Sequence, residues 1–255
     1  MASYPDYHVH TYLCGHATGT AEEYVLQASA QGLPEIGFAE HIPMYWLPES
    51  ERDPTIAMRA DQLPQYVQTV LALRAAHSDV TVRLGVEADF IPGHEERLAE
   101  ILQRYPWDYV YGSVHYVDGW GFDNPEYRAR YDEWDLDELY ERYFDLVCQA
   151  ATSGLFDVLG HLDVIKKWGH VPAVPPTGLY ERVADTVTRA GVAVEVSSAG
   201  YRKPVGQPYP WGELLEKLVE RQVPLTLGSD AHAPAEVGYR LGDLVGELRL
   251  LGCRA

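Results

Sequence analysis

Short apolar runs alternate with amphipathic segments along the whole chain. Seven of the runs have the length and composition of buried strands, and each is followed by a segment with helical periodicity. The predicted strands are residues 7–10, 35–39, 81–87, 108–114, 156–160, 192–196 and 224–228. The helices are predicted within residues 20–32, 60–76, 95–104, 136–152, 178–190, 211–221 and 235–250. The first helix opens on a capping box formed by Thr20 and Glu23.

This strict alternation indicates a parallel sheet whose strands are joined by crossover helices. No linker-like or low-complexity segment divides the chain, so we expect one domain over residues 1–255. An open sheet and a closed barrel share this rhythm. They differ in where functional residues collect, because an open sheet gathers them at one switch point and a barrel gathers them from nearly every strand end.

The histidines follow the predicted strands. His8 and His10 are two positions apart on the first strand, so their side chains leave on the same face. Glu87 ends the third strand and Asp230 follows the seventh. Seven of the ten histidines lie on or just after a strand, namely His8, His10, His16, His41, His115, His161 and His232. Any one of them is more often an ordinary loop or core residue, but their grouping favours a distorted TIM-like (β/α)7 barrel with its site at the C-terminal ends of the strands.

The three remaining histidines, His77, His94 and His170, are interpreted as surface residues. Imidazole and carboxylate ligands suit zinc, iron(II) or manganese. Nine such ligands exceed the coordination sphere of one ion, so the sequence predicts two to three divalent transition-metal ions (Zn, Fe or Mn). A cluster of this kind activates water near neutral pH and orients a phosphate group. The function indicated is a metal-dependent phosphoesterase.

The composition and charge of the chain limit the binding partners that can be expected. The formal charge of −18 disfavours nucleic acid, because phosphate backbones require Lys and Arg. Neither a signal peptide nor an apolar run of about 18 residues is visible, so we expect a cytoplasmic protein with no membrane partner. The three cysteines are read as reduced thiols, and Cys14 as a packed loop residue rather than a reactive one. A homo-oligomer stays open.

Six motifs occur together in one order. They are His8-Val-His10 with Cys14-Gly-His16, Ala39-Glu-His-Ile-Pro43, Gly85-Val-Glu-Ala-Asp-Phe90, Gly112-Ser-Val-His115, Gly160-His-Leu-Asp163 and Ser229-Asp-Ala-His232. With them the chain resembles the PHP (polymerase and histidinol phosphatase) superfamily, in particular its histidinol-phosphate phosphatase branch. The resemblance implies a distorted seven-stranded barrel. It also implies a histidinol-phosphatase, which hydrolyses L-histidinol phosphate to L-histidinol and phosphate in histidine biosynthesis by attack of a metal-activated hydroxide on phosphorus.

The resemblance further implies how the nine ligands divide among three ions. The first ion is held by His8, His10, Glu87 and Asp230. Glu87 bridges to a second ion, which is also held by His115 and His161. The third is held by His16, His41 and His232. The chain does not depart from this pattern at any of the nine positions.

The loop after the sixth strand, residues 197–209, looks like that of histidinol phosphatases. Arg202 is the leading candidate to bind phosphate and stabilise charge in transfer, because a guanidinium matches phosphate oxygens. Lys203 and Lys166 are candidates to assist, although all three also suit an ordinary basic surface. Asp230 and His232 are candidates to protonate the departing alkoxide. Glu40 and Asp89 are candidates to orient ligand imidazoles.

Residues 116–135 form a long loop rich in aromatic and acidic side chains. It suits a lid or a wall for a cationic ligand, and equally a loop that packs its aromatics onto the barrel. Other functions stay open. One is another PHP-type phosphoesterase, such as a phosphodiesterase or exonuclease, and another is a non-enzymatic metal-binding protein. An amidohydrolase is disfavoured because no strand carries a Lys placed as a carbamate bridge.

Overall fold

The computed structural model describes residues 4–253, and a seven-stranded parallel sheet is its main element. The strands are β1 (Asp6–Val9), β2 (Glu35–His41), β3 (Thr81–Asp89), β4 (Tyr109–Ser113), β5 (Tyr116–Val117), β6 (Trp120–Gly121), β7 (Val158–Leu159), β8 (Ala193–Ser197) and β9 (Leu225–Gly228). The helices are α1 (Ala21–Gln31), α2 (Leu63–Ala76), α3 (Glu95–Leu102), α4 (Leu136–Thr152), α5 (Thr177–Ala190), α6 (Glu213–Glu220) and α7 (Leu241–Leu250). The short strands β5 and β6 form a separate antiparallel hairpin.

The sheet curls into a nearly closed barrel. Its strand order is β1-β2-β3-β4-β7-β8-β9, and every neighbouring pair is parallel. At the seam, the backbone N–H of His10 donates to the Ala231 carbonyl at 2.9 Å, and the Ala231 N–H donates to the His8 carbonyl at 3.3 Å. The predicted fold, a barrel of seven strand–helix units, is therefore confirmed. No helix within residues 4–253 is long and apolar enough to cross a membrane.

Small and large residues are complementary inside the barrel. Gly37 on β2 and Gly85 on β3 lie against the ring of Tyr109 on β4, and a Cβ atom at either glycine would overlap that ring. The Tyr109 hydroxyl donates to the Tyr7 carbonyl at 2.7 Å. One layer higher on β4, the Tyr111 ring packs 4.8 Å from the His8 ring. Tyrosines thus fill the N-terminal end of the barrel, and the polar residues occupy the other end.

The loop of residues 116–135 is anchored to the barrel. Trp120, Phe122 and Tyr131 are buried in the same core cluster as α4. The Tyr131 hydroxyl donates to the Ile165 carbonyl at 2.9 Å, which ties the loop to the turn after β7. These three aromatic side chains pack onto the barrel, which is one of the two interpretations of this loop given above. Tyr127, in contrast, is 48% exposed.

The structure departs from the sequence pattern at a few boundaries. β7 has only two residues rather than five, although the backbone of Asp157 still bonds to Val110 and Ala193 on the neighbouring strands, each at 3.0 Å. The loop of residues 116–135 holds the β5–β6 hairpin and a 3₁₀ helix that the pattern did not predict. The three histidines predicted to be surface residues, His77, His94 and His170, are half-buried instead. The His170 ring stacks on the Tyr131 ring with their centroids 4.3 Å apart.

We expect Gly85→Ala to destabilise the protein by about 1–3 kcal/mol, the usual range for an overpacked core. The added methyl would overlap Tyr109 and lie 2.8 Å from the Phe38 carbonyl oxygen. Urea unfolding followed by circular dichroism measures the change. Gly246→Ala is the matched control, since a Cβ at Gly246 on α7 has no neighbour within 4 Å among the described residues. That variant should be unchanged or up to about 1 kcal/mol more stable. Equal stabilities of the two variants would contradict this packing.

Candidate metal centre

Nine side chains converge at the C-terminal end of the barrel. They are the predicted ligands, carried by β1, β2 and β3 and by the loops after β1, β4, β7 and β9, and seven of them line a cavity of about 250 Å³. Those seven are His16, His41, Glu87, His115, His161, Asp230 and His232. His8 and His10 are fully buried against Glu87 and Asp230. Parallel strands end at the same rim, which is why residues far apart in sequence meet there.

The Glu87 carboxylate lies at the centre of this group. It is almost fully buried at the end of β3, and the Ser113 hydroxyl donates to its Oε1 atom at 2.6 Å. Five imidazoles surround it. Its Oε2 atom lies 3.4 Å from His8 Nε2, 3.6 Å from His10 Nε2 and 2.9 Å from His41 Nδ1, and its Oε1 atom lies 2.9 Å from His161 Nε2 and 3.7 Å from His115 Nε2.

Several of these atoms are buried without a hydrogen-bond partner among residues 4–253. They are Nε2 of His8, His10 and His232 and Oε2 of Glu87. A buried polar atom left unpaired costs about 1–3 kcal/mol, so four such atoms at one place require a further group. Donor nitrogens and carboxylate oxygens that face one another are the ligands of divalent transition metals. The residues present therefore fit a divalent-metal centre.

The geometry can be compared with the predicted division of ligands. Five sets of three residues have ligand atoms within 4.8 Å of one another, and three of these consist only of predicted ligands: His8, His10 and Asp230; His8, Glu87 and His161; and His10, His41 and His232. The first of these three lies within the first predicted ion site. The other two each combine residues of two predicted sites. For the third predicted ion, the His16 ring lies 4.6 Å from His232 and 5.5 Å from His41. The structure brings all nine residues together, and their division among ions stays a prediction.

Carboxylates outside the group of candidate ligands contact the imidazoles and orient them. The two predicted ones are in place, with Glu40 Oε1 3.4 Å from His10 Nδ1 and Asp89 Oδ1 2.8 Å from His115 Nδ1. A third was missed, namely Glu195 on β8, whose Oε1 lies 2.8 Å from His8 Nδ1. A lone glutamate inside the apolar run of residues 192–196 was the signal that could have identified it. Each carboxylate holds Nδ1 and leaves Nε2 free to face the centre.

The pKa values show that this centre attracts positive charge. Burial alone would lower the pKa of His8, but Glu195 and Glu87 more than offset it and hold that pKa well above its usual value. Burial likewise opposes ionisation of Glu87 and Asp230, yet the surrounding histidines keep both carboxyl pKa values well below the usual range. The carboxylates therefore stay ionised and draw protons onto imidazoles. A divalent ion must displace those protons, so metal binding should tighten as pH rises.

Two ligand residues have a left-handed backbone conformation. The φ angle is 23° at His161 and 52° at Asp230, which is uncommon outside glycine and occurs where function requires it. Each is held by a charged side chain. The Glu195 Oε2 atom accepts the His161 N–H at 2.7 Å, and an Nη2–H of Arg202 donates to the Asp230 carbonyl at 3.0 Å. The loops carrying these ligands are thereby fixed in unfavourable conformations.

One wall of the cavity is basic. Arg202 and Lys203, as predicted from the sequence, line it, together with Lys167, which the sequence analysis missed. Lys166 does not reach it, because that side chain is buried and its Nζ pairs with Asp163 at 2.7 Å. Burial and the charge of Lys167 lower the pKa of Lys203. Nη1 of Arg202 is buried without a hydrogen-bond partner within the described chain, so its N–H groups still require an acceptor.

The predicted proton donors and Cys14 are also placed. Burial and the neighbouring His10 lower the pKa of His232 well below its usual value, and the pKa of Asp230 is likewise low. Neither therefore retains a proton near neutral pH in the metal-free centre. Cys14 is fully buried, donates to the Thr11 carbonyl at 3.2 Å, and has its thiol pKa raised by burial. It is a packed thiol rather than a thiolate.

A second cavity of about 510 Å³ adjoins the first. The two share six lining residues, which are His16, His41, His115, Asp123, Lys167 and Lys203. The rest of its lining includes carboxylates of Asp53 and Glu126 and aromatic rings of Tyr127 and Trp168. The candidate ligands thus adjoin a second, acidic and aromatic chamber, and Lys167 and Lys203 line both cavities.

Comparison with known proteins agrees with this arrangement. The chain is 46% identical over its whole length to a Deinococcus radiodurans protein named "Probable histidinol-phosphatase", and the match covers 96% of that protein. Two crystal structures share the fold. One is a Listeria monocytogenes protein (TM-score 0.83, 24% identity, 94% of this chain and 99% of that one). The other is the histidinol phosphate phosphatase of Lactococcus lactis complexed with zinc, L-histidinol and phosphate (TM-score 0.76, 20% identity, 96% and 93%).

The family itself follows from a wider match. The model of the PHP domain family matches residues 6–199, which is most of the chain and includes seven of the nine candidate ligands in full sequence order. The remaining strand, β9, is followed by Asp230 and His232 at the same rim of the barrel. The full-length match to the Deinococcus radiodurans protein extends over this part as well. The chain belongs to the PHP family.

Proposed function

We propose that this protein is a metal-dependent phosphomonoesterase that hydrolyses L-histidinol phosphate to L-histidinol and phosphate. The observation that carries the proposal is the nine-ligand centre facing a basic wall, in a chain with a full-length relative named as a histidinol-phosphatase. Neither half would suffice alone. Candidate metal ligands without the basic side chains would suit many hydrolases. Basic side chains without the candidate metal ligands would suit simple anion binding.

The centre is proposed to hold two to three divalent ions, with zinc, iron or manganese as candidates. His8, His10, Glu87 and Asp230 would hold one, and Glu87 would bridge to another with His115 and His161. His16, His41 and His232 would hold the third. Bound ions supply an acidified water at neutral pH and neutralise charge on the phosphoryl oxygens. In the absence of metal ions, the carboxylates of the centre favour protonation of the neighbouring imidazoles instead.

The basic wall would orient the phosphate. Arg202 is proposed to bind it through Nη1 while its Nη2 holds the Asp230 loop, so one side chain aligns substrate and ligand together. Lys203 and Lys167 add positive charge beside it. The buried pair of Lys166 with Asp163 favours Lys167 over Lys166 in this role.

The adjoining cavity is proposed to receive the leaving group. L-histidinol carries an ammonium group and an imidazole, and this chamber offers the carboxylates of Asp53, Asp123 and Glu126 with the rings of Tyr127 and Trp168. Carboxylates attract an ammonium, and aromatic faces attract cations and flat rings. Its volume of about 510 Å³ suits a small molecule.

The alternative phosphoesterases fit less well. A nucleic-acid substrate would bring many phosphates against this acidic chamber and against a chain of formal charge −18. A non-enzymatic metal-binding protein would not need three basic side chains, Lys167, Arg202 and Lys203, lining the cavity beside the candidate ligands. Cytoplasmic location and self-association stay predictions from the sequence.

The function is tested by phosphate release from L-histidinol phosphate against a panel of phosphomonoesters and phosphodiesters. We expect kcat/KM to be at least about 100-fold higher for L-histidinol phosphate than for a monoester without ammonium and imidazole groups. Metal-stripped protein is the control and should be inactive until metal is restored. Fully loaded protein that prefers a diester, or turns over none of the panel, would contradict the proposal.

Elemental analysis of protein purified without chelator should find about two to three transition-metal ions per chain. Glu87→Ala should fall to about one or fewer, because this carboxylate lies against five ligand imidazoles. His77→Ala is the control and should keep the wild-type content, since His77 caps α2 away from the centre. Less than one ion in the wild type, or equal losses in both variants, would refute the cluster.

Arg202→Ala should raise KM and lower kcat for the phosphomonoester, with kcat/KM reduced by about 100- to 1,000-fold, as when a transition-state hydrogen-bond donor is removed. Steady-state kinetics with parallel metal analysis measure this. Arg182→Ala on α5 is the control, since that exposed side chain pairs with Glu141 and Asp145, and it should stay within about twofold. Wild-type kinetics in Arg202→Ala would show that Arg202 does not bind phosphate, and Lys203 and Lys167 would then be the candidates. Loss of metal at unchanged KM would show that Arg202 only holds the Asp230 loop.

A further inference from the structure

The strand β8 differs from the other strands of the barrel. Its neighbours β7 and β9 lead directly to the candidate ligands His161 and Asp230, but none of the nine ligands lies on β8 or just after it. What β8 does place in the barrel interior is Glu195, whose side chain is fully buried. A buried carboxylate requires a partner for each oxygen, so its contacts show what the strand contributes.

Both oxygens of Glu195 contact ligand residues. Oε1 lies 2.8 Å from Nδ1 of His8, which belongs to β1, and Oε2 accepts the backbone N–H of His161 at 2.7 Å, just after β7. Both partners act as donors. The His161 N–H can only donate, and His8 must carry its proton on Nδ1 if its Nε2 lone pair is to bind a metal ion shared with Glu87 and Asp230, whose oxygens lie near that atom. A carboxylate is the side chain that accepts from both at once.

The bond to His161 also acts on the backbone. His161 has φ near 23°, a conformation that non-glycine residues rarely adopt and that surrounding contacts must hold. The Glu195 bond to its N–H is such a contact, at the residue that directs the imidazole toward Glu87. One carboxylate therefore determines the protonation pattern of one ligand and the backbone of another.

The space for this carboxylate is provided by Gly228, the last residue of β9. A Cβ atom there would overlap Oε1 of Glu195 and lie 2.6 Å from the Cβ of His8. Gly228 does not need glycine for its backbone angles, since it is absent from the positive-φ residues of the described chain. Glycine is needed there because Glu195 and His8 approach the backbone so closely.

We propose that Glu195 is a positioning residue for the metal centre, which couples two ion sites by holding His8 in its Nδ1–H tautomer and His161 in its strained conformation. The inference rests on the metal centre that the proposed function uses. Because His8 and His161 belong to different predicted ions and both contact Glu87, loss of Glu195 weakens both sites together. Outer carboxylates of this kind typically change metal affinity by about 10- to 100-fold.

Glu195→Gln tests the proposal with little change of shape. Its amide has one oxygen for two donors, so either His8 Nδ1–H or the His161 N–H must face an N–H group. We expect zinc affinity, measured by competition with a chromogenic chelator, to fall by about 10- to 100-fold. Long-range ¹H–¹⁵N spectra of the zinc-loaded protein should show the Nδ1–H tautomer of His8 in the wild type and its loss or mixture in the variant. A purely structural role would not change that tautomer.

Glu35→Gln is the matched control. It makes the same change at a half-buried carboxylate of β2 that pairs with Arg83 at 2.6 Å, at the opposite end of the barrel. It should retain wild-type zinc affinity and the His8 tautomer. Wild-type affinity in Glu195→Gln, or equal losses in the two variants, would overturn the proposal. Circular dichroism verifies that each variant is folded.

Gly228→Ala keeps the proposal testable if Glu195→Gln does not fold. It retains the carboxylate and displaces it from His8, so it should also lose zinc affinity and the His8 tautomer. Unchanged values in a folded Gly228→Ala protein would overturn the proposal. Zinc binding is measured without substrate, so the two ideas fail separately. A wild type that binds zinc and hydrolyses no phosphomonoester contradicts the proposed function, whereas an unchanged Glu195→Gln contradicts this inference.

Discussion

The burial of one carboxylate, Glu87, governs the arrangement around it. An ion placed in a protein interior without partners costs several kcal/mol, so this side chain can stay charged only inside a shell of positive or donating groups. Imidazoles from the ends of four strands supply that shell. They in turn need acceptors behind them, which Glu40, Asp89 and Glu195 provide. The centre is therefore layered, with a shell of imidazoles around the Glu87 carboxylate and further carboxylates outside that shell.

The barrel separates stability from chemistry along its axis. Tyr109 fills one end against the glycines of β2 and β3 and donates its hydroxyl to a backbone carbonyl, and the Tyr111 ring packs beside it. The other end is left free for charged groups, because the apolar burial that stabilises the fold is supplied elsewhere, by the tyrosines and by the helices. Strained residues such as His161 and Asp230 are tolerated there, since the rest of the barrel is already stable.

Much of this could be predicted from the sequence, for a physical reason. Parallel strands all end at one rim, so a His or Glu at a strand end must lie near the others, whatever the intervening loops do. Roles set by side-chain direction were harder. Lys166 and Lys167 are adjacent on one turn and point apart, and the sequence pattern does not tell which of them reaches the cavity. Glu195 was missed because an apolar strand was taken as wholly apolar, and its one inward carboxylate was not weighed.

The seam of the barrel has a consequence for how the protein is made. Asp6 on β1 accepts the backbone N–H of Ser229, which lies 223 positions later. His8 lies on β1 and Asp230 in the loop just after β9, on the two sides of this contact. Contacts of such long range form late in folding, because the intervening chain must first be ordered. During synthesis, the first strand therefore leaves the ribosome before its partner at the seam exists. One hydrogen-bonding edge of β1 must remain unpaired until β9 and the loop after it have been translated. The centre is complete only when translation has passed His232, so an earlier arrest yields a chain with an open barrel edge and an incomplete set of ligands.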